Sequence, residues 1–428
     1  MKNYAMKNIS EKKLEKLFKR PELKNEKLSL VQNIVSDIKK NGLKAALKYA
    51  QKYDGFSGGN IKVSEKEIEN SEKLLDGGSK SAIQTAFRNI KKFHRKQFPL
   101  NYEMETGKDI FCSREFRPIE NVGLYIPGGT AALPSTLLML GIPARIAGCK
   151  RIVAITPVKN KLNPALLYAA KLCGINEIYK IGGAHGVALL AYGDKKIKKI
   201  DKIFGPGNQY VTAAKSLVSI DAGGCAIDMP AGPSELLVIA DESANPEYVA
   251  ADLLSQAEHG ADSQVILLSA SEQIIKEVNR QIKIQKKRMP RENIIDQSLK
   301  NSFSLLVESV SDAIRLSNRY APEHLILNVK NYRKYRNQII NAGSVFFGPY
   351  SPESLGDYAS GTNHSLPTYG YAKVYGGISV ESFMKSITFQ SAGVKGFKKL
   401  APAVIKLAEI EKLDAHANAI KVRMKDEY

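Results

Sequence analysis

The stretch VGLYIPGG, residues 122–129, decides the fold class of this chain. Its first five residues are a short apolar run, which predicts a buried strand, and the Pro-Gly-Gly that follows predicts a turn. A helical pattern comes next, over residues 134–147. A strand that leads through a glycine-rich turn into a helix is the repeating unit of α/β proteins.

The same rhythm continues along the chain. It predicts further strands over residues 151–156, 177–181, 202–204, 236–240, 264–269 and 303–307, with helices between most of them. Such alternation indicates parallel sheets with helices on both faces. Ligands of these folds bind where strands end and helices begin, and several of those turns are glycine-rich here. No GxGxxG is present, so the glycines indicate either a nucleotide site or ordinary turn chemistry.

Composition narrows the class of protein. A length of 428 residues predicts two or three compact units, and an apolar fraction of 43% is ordinary for a globular chain. No apolar run is long enough to cross a bilayer, and the amino terminus lacks the apolar core of a secretory signal. The four cysteines show no close pairing. We therefore expect a cytoplasmic protein with reduced thiols and no membrane partner.

The formal charge of +20 raises the question of nucleic acid. The lysines are spread along the chain and alternate with glutamates, and no basic run carries interleaved aromatic residues. The pattern predicts a lysine-rich surface that favours anionic ligands and binds RNA loosely, without a specific nucleic-acid partner.

Three segments carry side chains suited to chemistry. The first is residues 252–260, which close a helix that begins near Pro246. Gln256 and His259 share one face of that helix. Gly260 is expected to end the helix in a left-handed conformation. An amide oxygen and an imidazole nitrogen could be two ligands of one metal, although such a pair is more commonly a hydrogen-bonded surface pair.

The second segment is Glu323-His324, which precedes an apolar strand, and the third is the polar, glycine-rich loop 352–364. Most of the six histidines lie at helix ends or in turns and not on apolar helix faces. Several histidines in segments rich in Gly, Asp, Glu and Gln indicate a shared site.

Several ordered motifs resemble one family. From about residue 20 to the C-terminus, the sequence is similar to the histidinol dehydrogenase family. The motifs that carry the resemblance are GLYIPGG at 123–129, IFGPGN at 203–208, DMPAGPSE at 228–235, SQAEHG at 255–260, APEHL at 321–325 and the loop at 356–364.

The resemblance implies a fold and an organisation. It implies two Rossmann-like parallel-sheet domains with helices on both faces, plus small helical N- and C-terminal extensions. We expect a helical arm over 1–20, a first domain over 21–120 and 238–378 that carries metal and substrate, and a second over 121–237 that carries NAD. A helical extension over 379–428 is expected to reach the partner subunit of a homodimer with shared active sites.

The resemblance also implies an activity: the oxidation of L-histidinol to L-histidine through an unreleased aldehyde, the last step of histidine biosynthesis. The family pattern makes Gln256, His259, Asp357 and His416 the ligands of one Zn²⁺ per subunit. The resemblance implies that the same four residues contact the substrate, together with Ser234, His324, His364 and Glu411. Ser135 and Glu353 are further candidates. His324 is expected to be the base in both oxidations, and Glu323 to activate the water that adds to the aldehyde.

NAD contacts are implied at Tyr125, His185 and Asn208. The family has Gln at position 185, so this chain departs from the pattern there, and we expect NAD binding to persist with altered affinity. Two other interpretations stay open: a paralogue that oxidises another primary alcohol with the same metal and NAD, and a non-catalytic basic protein that binds RNA.

Overall fold

The computed structural model describes residues 1–21, 25–128, 133–159, 161–230 and 232–425. They form two compact units. The first comprises Met1–Gln97 and Ile119–Phe383, and the second comprises Phe98–Pro118 and Met384–Tyr428. Among the described residues, no helix has both the length and the apolar character needed to cross a bilayer. All four cysteines are free thiols.

A six-stranded parallel sheet forms one half of the first unit. The strands lie in the order β1-β11-β10-β9-β12-β13. Their bounds are Lys2–Ala5 (β1), Phe303–Leu306 (β11), Gln264–Ser269 (β10), Glu235–Ala240 (β9), His324–Asn328 (β12) and Ser344–Phe347 (β13).

Both faces of this sheet are covered by helices. Alternate residues of β9 point to opposite faces: Leu236 and Val238 join one core cluster, while Leu237 and Ile239 join the other. Helices on the first face are α9 (Pro246–Ala257), α10 (Glu272–Gln285) and α11 (Glu292–Lys300), and those on the second are α1 (Glu11–Phe18) and α12 (Val310–Tyr320). A strand buried on both faces explains the continuous apolar run that the sequence shows there.

A five-stranded parallel sheet forms the other half of the first unit, in the order β6-β5-β4-β7-β8. Its strands are β4 (Asn121–Tyr125), β5 (Arg151–Ile155), β6 (Glu177–Tyr179), β7 (Lys202–Phe204) and β8 (Ala226–Ile227). The remaining helices of this unit are α2 (Asn25–Tyr49), α3 (Glu65–Asn70), α4 (Gly77–His94), α5 (Pro134–Ala147), α6 (Pro164–Cys173), α7 (Gly183–Tyr192), α8 (Gln209–Ile220) and α13 (Glu353–Tyr358). The predicted parallel α/β class is confirmed.

The second unit contains an antiparallel sheet. Strand β3 (Ile110–Pro118) pairs with β2 (Tyr102–Gly107) on one side and with β14 (Met384–Ala392) on the other. Two helices follow, α14 (Val394–Ile410) and α15 (Asp414–Arg423).

Three local expectations were wrong. The N-terminal arm is not wholly helical, because Lys2–Ala5 extends the large sheet as an edge strand on β11, with Tyr4 against Phe303. The C-terminal extension is not wholly helical either, since β14 pairs along its length with β3. Helix α9 ends at Glu258 with ordinary right-handed dihedrals, so Gly260 is not its left-handed cap.

Candidate active site

A cavity of about 310 Å³ lies between the two parallel sheets of the first unit. One wall follows the carboxyl ends of β4 and β7, where Pro127 and Pro206–Asn208 lie. The opposite wall includes the residues at the amino ends of β9 and β12. The rule that ligands bind at the carboxyl ends of parallel strands therefore holds for the smaller sheet, and the larger sheet uses its opposite edge.

Glu323 and His324 lie side by side on that opposite wall. Both are buried, at 7% and 3% exposure, and both line the cavity. The Oε2 atom of Glu323 accepts the backbone N–H of Glu235 at 2.8 Å and faces the amide of Gln256 at 3.5 Å. These donors hold one carboxylate oxygen and leave the other for a ligand in the cavity.

The surroundings of the His324 ring assign its neutral tautomer. Its Nδ1 lies 3.3 Å from the carbonyl oxygen of Glu235, with carboxylate oxygens of Glu323 and Glu353 at 3.6 and 3.9 Å. The amide nitrogen of Gln256 also lies 3.2 Å from Nδ1, but the three oxygens around Nδ1 can only accept, so we assign the proton of the neutral ring to Nδ1 and the lone pair to Nε2. No described donor reaches Nε2, which lies 3.5 Å from Oδ1 of Asp357.

Negative charge dominates this part of the cavity. Burial lowers the pKa of His324, but the carboxylates of Glu353 and Glu323 outweigh it and hold that pKa well above its usual value. Burial and the neighbouring carboxylate of Asp357 raise the pKa of Glu353 well above normal. For Asp357, burial acts upward, yet the nearby His324, His364 and His259 keep the pKa of that carboxyl below normal. A cation would be stabilised here.

The residues present fit a divalent cation. Gln256 Oε1 and Asp357 Oδ1 are buried oxygens without a hydrogen-bond donor among the described residues. Both residues line the cavity, as does the exposed His259. Buried polar atoms normally have partners, so two unsatisfied oxygens beside an imidazole suit a metal that takes nitrogen and oxygen ligands.

A second possible ligand group overlaps with the first. His324, Glu353 and Asp357 offer one ligand atom each within 4.8 Å of one another. Glu353 is 1% exposed and does not line the cavity, whereas Gln256 and His259 do. Metal binding by His324 would also occupy a ring nitrogen. Gln256, His259 and Asp357 therefore share one cavity, which Glu353 does not line.

The substrate residues expected in the first unit also come together. Ser234, Ser135 and His364 line the same cavity. His364 is fixed through both ring nitrogens: Nδ1 donates to the backbone carbonyl of Asp357 at 2.8 Å, and Nε2 lies 3.1 Å from the hydroxyl of Thr136. An imidazole held at both ends presents its ring in one orientation.

The three expected NAD residues do not share one environment. Asn208 lines the cavity and caps α8, its Oδ1 accepting the backbone N–H groups of Tyr210 and Val211. Tyr125 and His185 are buried at the N-terminus of α7 instead. The Tyr125 hydroxyl accepts the backbone N–H of Gly183 at 3.3 Å, and His185 Nε2 lies 2.9 Å from the carboxylate of Asp54.

Glu411 and His416 belong to the second unit. Glu411 follows α14 as its C-terminal cap, His416 lies on α15, and both side chains are exposed.

The sequence patterns did not predict two residues of the site. Thr136 was not singled out, because a threonine in an apolar helix has no pattern of its own. Glu235 belongs to the quoted motif at 228–235 but received no role, since its contacts to Glu323 and His324 are made by backbone atoms. Glu353, only a further substrate candidate, faces the ring of His324.

Comparison with known proteins points to one family. The family model for histidinol dehydrogenase matches residues 18–424. The chain is 48% identical over 419 residues to a histidinol dehydrogenase of Campylobacter jejuni, with 97% of each chain covered. It is 50% identical over 411 residues to one of Bacteroides thetaiotaomicron, covering 95% of this chain and 96% of the relative. The crystal structure of histidinol dehydrogenase from Elizabethkingia anophelis superposes with a TM-score of 0.94 at 50% identity, covering 99% of this chain and 98% of that one.

Proposed function

Because this chain belongs to the histidinol dehydrogenase family, we propose that it oxidises L-histidinol to L-histidine by two successive hydride transfers to NAD. The observation that carries the proposal is the convergence of Glu323, His324, Gln256, Asp357 and His364 on one cavity. Family membership makes the chain an oxidoreductase of histidine biosynthesis. The cofactor, the metal and the role of each residue are proposed here.

In the first oxidation, His324 is the base. The carboxylates around the ring favour the imidazolium, and the charge of a bound metal would favour the neutral ring instead. In that form Nε2, which has no hydrogen-bond partner among the described residues, can take the hydroxyl proton of the alcohol as hydride leaves the same carbon. Because the Glu235 carbonyl holds Nδ1–H, the ring is oriented before substrate arrives. NAD, when bound, supplies the acceptor for each hydride.

The second oxidation begins with hydration of the aldehyde. Glu323 has one oxygen tied to the Glu235 N–H and the other free to take a proton from water as it adds to the carbonyl carbon. The proton that His324 took from the alcohol passes to the aldehyde oxygen as water adds, which returns the ring to its neutral form. His324 then removes a hydroxyl proton from the hydrate as the second hydride leaves for NAD, and the acid that forms loses its remaining proton to solvent to give the carboxylate. The burial of both side chains supports retention of the aldehyde until the second step.

Zinc is proposed to be held by Gln256, His259 and Asp357 of one chain and by His416 of its partner. When bound, the metal would position the substrate through its nitrogen atoms and would offset the negative charge around His324. His364 and Ser234 would contact the substrate from the same chain, and Glu411 from the partner. Asn208 would contact NAD directly, whereas Tyr125 and His185 would act through the N-terminus of α7.

A homodimer accounts for two features of the second unit. Glu411 and His416 are exposed, and so are several apolar side chains of α14 and the turn after it, including Leu407 at 60% and Ile410 at 65%. Contiguous exposed apolar residues on a helix are typical of an interaction surface. We propose that this surface packs on the partner subunit and delivers the two residues to its site.

The test is NADH formation, followed by absorbance, with purified protein, L-histidinol and NAD. Two NADH per L-histidine are expected. Turnover should stop after chelation and return with added Zn²⁺, and Asp357→Ala should lose bound zinc by elemental analysis while His324→Ala keeps it. Equal zinc loss in both variants would favour the ligand group of His324, Glu353 and Asp357. Turnover of a diol panel in place of L-histidinol would assign the chain another primary alcohol.

A further inference from the structure

A buried ion pair lies directly behind the catalytic pair. Arg20 donates from Nε to Oε1 of Glu235 at 2.7 Å and from Nη2 to Oε2 at 2.9 Å. The two side chains are 14% and 3% exposed, and the guanidinium lies 3.8 Å from the centre of the Tyr320 ring. Such a two-point contact fixes both the position and the plane of the carboxylate.

The same guanidinium fixes the chain that leads into β12. Its Nη2 also donates to the carbonyl oxygens of Tyr320 at 2.8 Å and Ala321 at 3.3 Å. Ala321 has a positive φ of 54°, a conformation that costs a non-glycine residue energy and persists only when its surroundings hold it. Glu323 and His324 follow within three residues, so the strained turn sets where they begin.

The backbone of Glu235 contacts the catalytic side chains themselves. Its N–H donates to Glu323 Oε2 at 2.8 Å, and its carbonyl oxygen accepts from His324 Nδ1 at 3.3 Å and from Gln256 Nε2 at 3.4 Å. Arg20 therefore holds the residue that orients the pair and also the turn that precedes the pair.

We propose that Arg20 and Glu235 are positioning residues for both oxidation steps: their ion pair fixes the start of β9 against the start of β12 and so aligns Glu323 with His324. The inference rests on the proposed function for the reaction that it serves. A purely structural pair is the alternative, and for stability alone a buried ion pair is often no better than packed apolar groups. Alignment of two catalytic groups needs directional bonds, which the ion pair provides together with the backbone N–H of Tyr369, a donor to Glu235 Oε1 at 2.7 Å.

The chain offers a matched control. Arg151 binds Glu177 through Nε and Nη2 at 2.8 and 2.7 Å, and its Nη1 donates to the carbonyl oxygens of Lys198 and Lys199. This pair has the same two-point form, with side chains 19% and 25% exposed, but lies at the amino end of β5. Arg20→Met thus removes these bonds near the cavity, and Arg151→Met removes equivalent bonds away from it.

The expected result is a split between activity and stability. Both variants should lower the melting temperature, but only Arg20→Met should lower kcat, by about tenfold to a hundredfold for misplaced catalytic groups. Its KM for L-histidinol should stay within about threefold, since the Asp357 and His364 contacts remain. Arg20→Lys should recover stability more than kcat, because an ammonium group cannot make the two-point contact.

Hydrogen exchange gives a reading that is independent of turnover. Amides of residues 233–237 and 320–327 should exchange faster in Arg20→Met and keep wild-type rates in Arg151→Met. Wild-type kcat in Arg20→Met, or unchanged exchange in both segments, would overturn the inference. An inactive wild-type protein would instead reject the proposed function, and the exchange rates would still decide the positioning role.

Discussion

At the scale of single residues, the site depends on how hydrogen-bond donors and acceptors are distributed. Glu235 supplies one backbone donor to Glu323 and one backbone acceptor to His324, and these two bonds separate the tasks of the pair. The carboxylate keeps one free oxygen for water, and the imidazole keeps one lone pair for a substrate proton. Neighbouring residues in one segment can therefore act in different steps.

Substitution of the pair should separate the two half-reactions. Glu323→Gln should slow oxidation of the aldehyde about a hundredfold or more, the size of a general-base contribution, and slow oxidation of the alcohol much less. His324→Ala should slow both by at least a similar factor, because it is the base in each. Stopped-flow measurements of NADH, started from L-histidinol or from L-histidinaldehyde, check this expectation. Equal loss in both half-reactions for Glu323→Gln would remove its assigned role.

Sequence reasoning worked well where a side chain carries the chemistry. Gln256, His259, Asp357, Glu323, His324 and His364 were all singled out, and they line one cavity. It failed for Glu235, because every residue type can make a hydrogen bond through its backbone, so the sequence does not indicate such a bond. It also failed for the environment of His185, whose partner Asp54 lies 131 residues away.

At the scale of elements, the N-terminus of α7 is closed by the protein's own carboxylate. Asp54 accepts the backbone N–H of Gly182 at 3.0 Å and faces Nε2 of His185 at 2.9 Å. A negative charge at this end of a helix is stabilising, and it also occupies the backbone N–H of Gly182, which could otherwise contact a phosphate. Asp54 therefore occupies part of the anion-binding position that the N-terminus of a helix usually offers to a nucleotide phosphate.

Changes at this helix end should affect NAD more than histidinol. Asp54→Ala should lower the free energy of unfolding by about 1–3 kcal/mol, since it leaves His185 and the Gly182 N–H without their buried acceptor. His185→Gln, which introduces the family residue, should change KM for NAD and leave KM for L-histidinol as it is. Urea denaturation and initial rates at varied NAD measure the two effects. An unchanged KM for NAD across the pH range would exclude His185 as a determinant of NAD binding.

Helix α9 carries a stability cost that depends on pH. Burial raises the pKa of Asp252, one turn before Gln256, to about 7, from an ordinary value of 3.8. A raised carboxyl pKa means that folding opposes ionisation, so stability falls as pH rises from the ordinary value through 7.

Asp252→Asn should remove that cost. The variant is expected to be more stable than the wild type by roughly 1–3 kcal/mol at pH 8 and equal to it at pH 4, because a protonated Asp and an Asn are both neutral. Denaturant melts at the two pH values test this. The same gain at pH 4 and pH 8 would show that ionisation of Asp252 is not the cause.

Elements were predictable where burial governs the pattern. The strands of the two parallel sheets are buried on both faces and appear as apolar runs between glycine turns. Strand β14 was missed, because six of its nine residues are polar or small and eight are exposed. Its position depends on pairing with β3, some 270 residues earlier in the chain, which local periodicity does not report.

At the scale of the whole molecule, the open question is which chain completes which site. The first unit contains every proposed site residue except Glu411 and His416. Those two are exposed on the second unit beside exposed apolar side chains, as expected of a segment that serves a partner. A sequence shows such residues but not the chain to which they are delivered.

Mixed dimers can decide this. His416→Ala removes the proposed metal ligand from the C-terminal helices α14 and α15 of a chain (its tail) and leaves its cavity intact. His324→Ala removes the base from the cavity and leaves the tail intact. If tails are exchanged, each mixed dimer holds one site with an intact cavity and an intact tail. Random mixing of the two inactive variants, unfolded and refolded together, should then restore about a quarter of the wild-type rate of L-histidine formation. If each tail instead serves its own chain, every site in the mixture has one defect and no activity returns. Each variant refolded alone is the control, and dimer formation is checked by sedimentation.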